Sequence, residues 1–408
     1  MTDIAQPLTL PGGATLRNRL VKSAMSEALA NAHGNPTEAL IDLYTRWGAG
    51  GAGLLITGNT PVDRLHLEHA GNVVLDDATD LAAMSRLARA AQGGGARVLT
   101  QLAHAGRQVP AAINPAPLSI SDQPLDLPGY GTPRTARDTD LAAVVAQFVR
   151  SAELAKAAGF DGVEVHAAHG YLLSSALSPR INTRTDRWGG SLGGRARLTL
   201  EVVRVVRAAV PAPFILAVKL NAADFQKGGF ELPDAVKVAV MLEAEGVDLI
   251  EVSGGTFEAP TAYQHSKPST RAREAYFLDY AQAIKSALGI PLMVTGGFRS
   301  RPAMDAALAQ RQTDLIGMGR PFITEPGVAA RLLTAPDARA PAPEQGFPPA
   351  AELPRGAVLN WFCSQLARAG RPDPSLPLLQ GHADYLARSD RLTRRLLAAR
   401  AAAPARCA

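Results

Sequence analysis

The residues of this chain best suited to chemistry lie in one short segment, Gly162-Val-Glu-Val-His166-Ala-Ala-His169-Gly170-Tyr171. Two imidazoles three positions apart, with a phenol two further on, admit two readings. One is a metal, but a zinc site needs at least a third protein ligand. No carboxylate or cysteine of this segment stands at a suitable spacing, so no metal is assigned. The other reading has the imidazoles hydrogen-bond a substrate oxygen and stabilise negative charge that develops there. Tyr171 then serves as a proton donor.

A second cluster runs Val294-Thr295-Gly296-Gly297 and Gly317-Met318-Gly319-Arg320. Glycines let backbone N–H groups approach an anion, and an arginine adds a charged fork. Together they suit a phosphate. Lys219, inside the apolar run Ala217-Val-Lys219-Leu-Asn, needs an anionic partner or water, because burial alone would neutralise it. Gln101, in Leu99-Thr-Gln101-Leu-Ala-His104, carries an amide that can both donate to and accept from the edge of a planar heterocycle. Ser23-Ala24-Met25-Ser26 supplies backbone groups and a thioether surface. The set suits a phosphorylated, flat, redox-active ring with a second substrate stacked on it.

Such groups need a frame that brings distant segments to one place. Eight short apolar runs are candidate strands: Leu20–Ser23, Gly53–Asn59, Val98–Leu102, Gly162–His166, Phe214–Asn221, Leu249–Ser253, Leu292–Gly296 and Leu315–Gly319. Between them lie helical patterns at Thr37–Trp47, Asp80–Gln92, Leu141–Ala158, Arg195–Ala209, Pro233–Glu245, Phe277–Leu288 and Arg301–Gln310, with an eighth beginning near Val328. Strands that are apolar throughout, rather than alternating, are buried on both faces, as in a parallel sheet. The expected fold is therefore α/β, a single (β/α)8 TIM barrel with its site at the C-terminal ends of the strands and its phosphate after strands seven and eight. An open dinucleotide-binding sheet is the alternative. Its glycine fingerprint has one literal match, Gly48-Ala-Gly50-Gly-Ala-Gly53, but that follows a helix and leads into a strand, the reverse of what such a site needs.

Residues 1–335 are expected to form the barrel and 336–408 an extension. The His104–Asp138 loop reads as a lid or hairpin over the mouth. Pro336–Pro354 is a Pro/Ala-rich linker, followed by Asn360-Trp-Phe-Cys363 and a helical stretch, Tyr385–Ala403. The sequence leaves open whether that helix packs on the barrel, on a partner subunit of a homo-oligomer, or stands in solvent.

Bulk properties exclude several classes. The chain has 408 residues, 47% of them hydrophobic, and a net charge of +5. Six arginines against two aspartates after residue 382 carry most of that surplus. The body is nearly neutral and carries no nucleic-acid signature. Cys363 and Cys407 make neither a disulfide framework nor a C-x-x-C site, which fits a reducing compartment. No signal peptide and no membrane-length apolar stretch is read. A soluble, cytoplasmic protein with no nucleic-acid or membrane partner is expected.

The chain also resembles the Old Yellow Enzyme family of FMN-dependent ene-reductases, from about Ile4 to Ala335. The resemblance rests on Asp161-Gly-Val-Glu-Val-His166-Ala-Ala-His169-Gly-Tyr171-Leu, Leu177-Ser-Pro and Asn182-Thr-Arg-Thr-Asp186-Arg-Trp-Gly189-Gly190-Ser191. Asn18-Arg19, Gln101-Leu-Ala-His104-Ala-Gly-Arg107, Asp224-Phe-Gln-Lys-Gly228-Gly229, Gly296-Gly297 and Gly319-Arg320-Pro321 support it. It implies FMN lined by Ser23, Ala24 and Met25 near N5 and by Asn59 at its polar edge. Gln101 would bond the pyrimidine end, and Lys219 would face N1 and O2. Gly296, Gly297, Gly319 and Arg320 would hold the phosphate. His166 and His169 would bind the substrate oxygen, and Tyr171 would protonate the alpha carbon of an activated alkene. NADPH or NADH would be the transient reductant in a ping-pong cycle.

The chain departs from the family pattern at Ala24, where proline is common, at Ser26, where cysteine or threonine often tunes the flavin, and at Thr57-Gly58-Asn59. Gly193-Gly194 replaces a polar pair, and Trp188 a tyrosine. None removes a catalytic group. Larger relatives such as the dienoyl-CoA reductases and trimethylamine dehydrogenases add an iron–sulfur cluster. The cysteines that cluster needs are absent, so the single-barrel branch is expected. Competing functions are an FMN oxidase or dehydrogenase of an amine or alcohol, a non-catalytic flavin carrier, and a flavin-free barrel binding a sugar phosphate.

Overall fold

The eight apolar runs become eight parallel strands: β1 Leu20–Lys22, β2 Leu54–Pro61, β3 Arg97–Ala103, β4 Gly162–Ala167, β5 Ile215–Asn221, β6 Leu249–Ser253, β7 Leu292–Thr295 and β8 Leu315–Met318. They pair in sequence order and close into a barrel through β8 and β1. The structure is a computed structural model that describes residues 3–259 and 274–402. The expected strand limits are met within two residues at every strand end.

Helices cover the outside of the barrel, and local side chains set where they begin. Thr37 and Asp80 cap the helices Glu38–Gly48 and Leu81–Gln92 by accepting from Leu40 N–H and Ala83 N–H. Such caps satisfy backbone donors that have no partner within the helix. Two helices start three residues earlier than periodicity suggested. In Asp138–Ala157 the Asp140 carboxylate takes the Arg137 N–H at 2.9 Å, which fixes the first turn. In Leu192–Ala209 the Ser191 hydroxyl accepts from Gly194 N–H, and the glycine pair hides that turn from a hydrophobic pattern.

The inward face of the barrel is apolar at its N-terminal end. Val21, Leu54, Ile56, Leu99, Ile215, Leu249, Met293 and Leu315 fill it, and Leu10 and Leu16 of a short N-terminal hairpin plug it from below. Polar inward residues begin further along the strands. That division leaves one end of the cylinder available for chemistry.

The extension returns to the barrel. Helix Ala357–Leu366 buries Trp361 and Phe362, and the Trp361 indole donates to Leu376 O at 2.9 Å. Helix Leu378–Ala402 lies over the loops that follow β2 and β3. Its Leu396 packs with Leu67, Ala70, Val109 and Tyr171, and Arg400 donates to Ile113 O at 2.9 Å. Of the fates left open by the sequence, packing on the barrel is the one observed. Cys407 lies outside the described residues. The His104–Asp138 loop holds the turn Gly106–Gln108, a second turn in which Ile113 N–H and Asn114 N–H donate to Pro110 O, and a two-residue parallel pairing of Leu118–Ser119 with Arg134–Thr135.

Candidate active site

Strand alternation and register decide which polar residues share the barrel interior. Glu164 and His166 are two apart on β4 and so point to the same side. Register pairs Gln101 with Glu164, His166 with Lys219, and Lys219 with Glu251. These side chains therefore meet as a buried floor. The Gln101 amide donates to Glu164 at 2.6 Å, and the Lys219 ammonium lies 2.8 Å from Glu251. Burial, and then the neighbouring Glu251, push the Glu164 carboxyl well above its usual range. Burial acts on Glu251 in the same direction, but Lys219 and the Glu164 hydrogen bond outweigh it and hold that carboxyl below its usual range. The floor thus holds two carboxyl groups shifted in opposite directions beside one lysine. Lys219 has the anionic partner its position demanded, and that partner comes from the protein.

Above the floor stand His166, His169 and Tyr171. The His166 ring packs edge-on against His169 at 5.1 Å and against Tyr171 at 4.8 Å between centroids. Its Nδ1 accepts from Ala168 N–H at 3.2 Å, so the ring proton resides on Nε2, which is then a donor. His169 adopts φ +62°, a left-handed conformation uncommon outside glycine, asparagine and aspartate. That turn is tied by its N–H to Asn221 at 3.1 Å and by Nε2 to the Ser253 hydroxyl at 2.9 Å. Burial above all keeps both rings neutral, helped at His166 by the neighbouring His169 and Lys219 and at His169 by Lys219: His166 is lowered far below its usual value and His169 to about 3. Neutral imidazoles donate without inviting an anion to stay.

At the β1 and β8 ends, the Ser23 and Thr295 hydroxyls bond each other at 2.8 Å across the position where a Gly317 side chain would fall. Met25 lies against Gly319, with its sulfur 3.3 Å from where a Cβ would stand. Ala24 packs against the interior cluster. The Asn59 Nδ2 donates to Glu68 at 2.6 Å, while its Oδ1 is buried with no partner among the described residues. Gly296 and Gly297 both take positive φ, and a side chain on Gly297 would strike the backbone of Ala275. Arg320 lies 3.3 Å from Glu344 of the linker, which also accepts from Arg299 at 2.6 Å. Two guanidinium groups share one carboxylate there, which leaves positive charge in excess at the expected phosphate end.

The donor set fits FMN. A buried orphan amide oxygen, an inward amide and an ammonium stand at the floor. Glycine turns and two arginines stand at β7 and β8.

One cluster mimics a metal centre. Asp63, His66 and His104 place ligand-type atoms within 4.8 Å of one another. The hydrogen bonds argue otherwise. His66 Nε2 accepts from Leu118 N–H and His104 Nδ1 from Gly106 N–H, so each ring must carry its proton on the nitrogen facing Asp63. A cation there would need both rings as imidazolates. The cluster instead anchors the loop after β2.

Sequence reasoning missed Glu68, Glu164, Glu251, Arg299 and Glu344. For Glu164 and Glu251 a signal existed, since each interrupts an apolar strand as Lys219 does. Glu68, in the loop Val62–Asp80, had none.

The profile of the NADH:flavin oxidoreductase / NADH oxidase family matches residues 3–335. NADH-dependent flavin oxidoreductase iliE of Neonectria sp. is 39% identical over 367 residues, which cover 82% of this chain and 48% of that protein. NADH-dependent flavin oxidoreductase iccE of Talaromyces variabilis is 36% identical over 365 residues, covering 82% and 87%. The chain thus spans about half the length of the first and most of the second. Among solved structures, 2-naphthoyl-CoA reductase superposes with a TM-score of 0.77 at 24% identity, over 83% of this chain and 53% of that one. Morphinone reductase superposes at 0.70 and 24%, over 84% and 92%. These two likenesses show the fold. Among the described residues no helix is long and apolar enough to cross a membrane.

Proposed function

The chain belongs to the NADH:flavin oxidoreductase / NADH oxidase family, and on that premise we propose that it reduces activated carbon–carbon double bonds of alpha,beta-unsaturated carbonyl or nitro compounds. FMN, when bound, would supply the hydride chemistry that links NADH or NADPH to the beta carbon. Ser23, Ala24 and Met25 would line the cofactor on the β1 side, Asn59 and Gln101 would bond its polar edge, and Lys219 would support negative charge on it. Gly296, Gly297, Gly319 and Arg320, joined by Arg299, would hold its phosphate. Residues 3–335 carry this machinery and the remainder is an extension. A cytosolic setting with freely exchanging coenzyme belongs to the same reading.

The observation that carries the proposal is the packed His166–His169–Tyr171 set standing over Lys219. His166 Nε2–H and His169 hold the substrate's carbonyl or nitro oxygen, which polarises the conjugated bond toward them. Charge that develops on that oxygen meets preorganised donors in a site from which water is largely excluded. Tyr171 then donates its phenolic proton to the alpha carbon. A placed proton donor favours the reductive direction over an oxidase or dehydrogenase.

The purified protein should be yellow, bleached anaerobically by NADH or NADPH, and re-oxidised by cyclohexenone or a maleimide. Tyr171→Phe should slow re-oxidation by roughly 10²–10⁴-fold, the span of general acid catalysis, and spare the bleaching step. Equal losses in both half-reactions would contradict the assigned role. A protein that stays colourless after soaking with FMN would end the whole reading.

A further inference from the structure

The loop between β2 and the helix Leu81–Gln92 brings a carboxyl group to Tyr171 that the scheme above does not use. Glu68 is half-buried and lies at the centre of four side chains. The Ser26 hydroxyl reaches both of its oxygens at 2.8 Å, and the Asn59 amide donates to Oε2 at 2.6 Å. Tyr171 and Asn72 also stand near enough to act on this carboxyl, each drawing its pKa down. Ser26 lies in the segment after β1 and Asn59 on β2, both assigned to the flavin side, and Tyr171 belongs to the substrate side. Glu68 therefore joins the two halves of the site.

The loop that carries it is fixed at several points. Asp63 bonds His66 Nδ1 at 2.7 Å, and the far side of that ring accepts from Leu118 N–H at 2.9 Å. Arg64 and Asp76 pair at 2.5 Å. His69 Nε2 meets the Ser389 hydroxyl of the C-terminal helix at 3.0 Å. A side chain held at several points beside one phenol is suited to repeated proton exchange with that partner.

We propose that Glu68 is the relay residue that returns a proton to Tyr171 during each reduction. This rests on the reading of Tyr171 as the proton donor. Hydride adds to the beta carbon and the phenolic proton to the alpha carbon, so one π bond breaks and two C–H bonds form. The phenolic oxygen takes the carboxyl proton of Glu68 as it releases its own. Glu68 is left as a carboxylate and recovers its proton from water. The hydride comes from NADH or NADPH through the bound flavin, so no further reductant is needed.

The surroundings favour an acid over an anion there. Burial raises the Glu68 carboxyl above its usual range, although its hydrogen bonds pull the other way. The titratable groups near it are Tyr171, Tyr130 from the loop after β3, and Tyr385 and Cys363 from the extension. Arg388 stands beyond Tyr385 and Cys363, and Arg355 beyond Tyr130. No cation is the immediate partner of Glu68 among the described residues, unlike Glu251, which has Lys219.

The test uses the FMN-loaded enzyme and anaerobic stopped flow with cyclohexenone. Wild-type re-oxidation should slow as pH rises through a value above the usual glutamate range. Glu68→Gln should re-oxidise on the order of 100-fold more slowly, a typical share for a positioned acid. It should lose that pH limb and be bleached by NADH at close to the wild-type rate. Glu68→Asp should keep a pH limb at a shifted position. Glu68→Gln with a wild-type rate and profile, or a wild-type rate flat from pH 5 to 9, overturns the relay. Tyr171→Phe is run beside it: if that variant re-oxidises normally, the assignment of Tyr171 fails instead.

Discussion

Lys219 and Glu251 are paired at 2.8 Å on the floor of the barrel, whereas His166 and His169, one strand end above, are buried as neutral rings. Both pairs sit within the same few ångströms of structure. The difference follows from what holds them. The floor residues are paired by the register of adjacent strands, which fixes a cation against an anion and makes a buried charge tolerable. The upper residues stand at a strand end and on a turn, with hydroxyl and amide partners only. A charge there would be desolvated without compensation, so the rings give it up. Lys219 links the two levels, since the ammonium that steadies Glu251 also pushes both histidines down.

The largest effect should come from breaking the floor. Lys219→Met leaves the Glu251 carboxylate and its neighbour Glu164 without a cation, and losing one partner of a buried pair costs about 3–5 kcal/mol. Urea unfolding of the purified protein measures it. Lys219→Met combined with Glu251→Gln should recover much of the loss, because no uncompensated charge remains. A single variant as stable as wild type would show that the charges are not coupled as the geometry implies.

Floor and upper level should also answer pH in opposite directions. His169 is lowered from 6.5 to about 3 in the fold. Between those values the unfolded chain binds a proton that the native chain refuses. Its contribution to stability is therefore full above about 6.5 and falls by roughly 1.4 kcal/mol per pH unit on acidification. His169→Asn, a residue tolerant of positive φ, should remove that slope. Glu164 is raised, so the native chain keeps a proton that the unfolded chain sheds. Its contribution is present below about pH 4.5 and is lost as pH rises. Glu164→Gln should gain on wild type by roughly 1.4 kcal/mol per unit above that point. Stability–pH curves of the three proteins decide this, and slopes of one sign for both variants would erase the contrast.

Much of this was legible in the chain. Eight apolar runs and their intervening periodicities specify the barrel, because a strand buried on both faces has no polar side to display. The site residues on strands and strand ends followed, since a barrel dictates which end is open. What stayed hidden depends on contacts across the fold. Lys219 was recognisable as a cation in need of an anion, but Glu251 became its partner only through the β5–β6 register. Arg320 read as a phosphate ligand, yet Glu344 arrives from the linker, 24 residues downstream, to share it. Glu68 lies in an irregular loop whose path no periodicity encodes. The extension showed its helix in the sequence but not its docking face, because Leu392 and Leu396 gain meaning only beside Leu67 and Tyr171.

That docking face offers the mildest test of the contrast. The floor is held by strands, whereas the apolar surround of Tyr171 is completed by a helix from the far end of the chain. Leu396 is 7% exposed and packs with Leu67, Ala70 and Tyr171. Leu396→Ala should cost about 2 kcal/mol, the low end for a buried leucine, because a peripheral site can settle around the loss. The helix should loosen before the barrel does, since elements with few buried contacts open locally. Hydrogen exchange should therefore quicken across residues 378–402 and stay unchanged in β4–β6. Equal acceleration in both places would mean that helix and barrel open as one unit, and that the upper level is as firmly built as the floor.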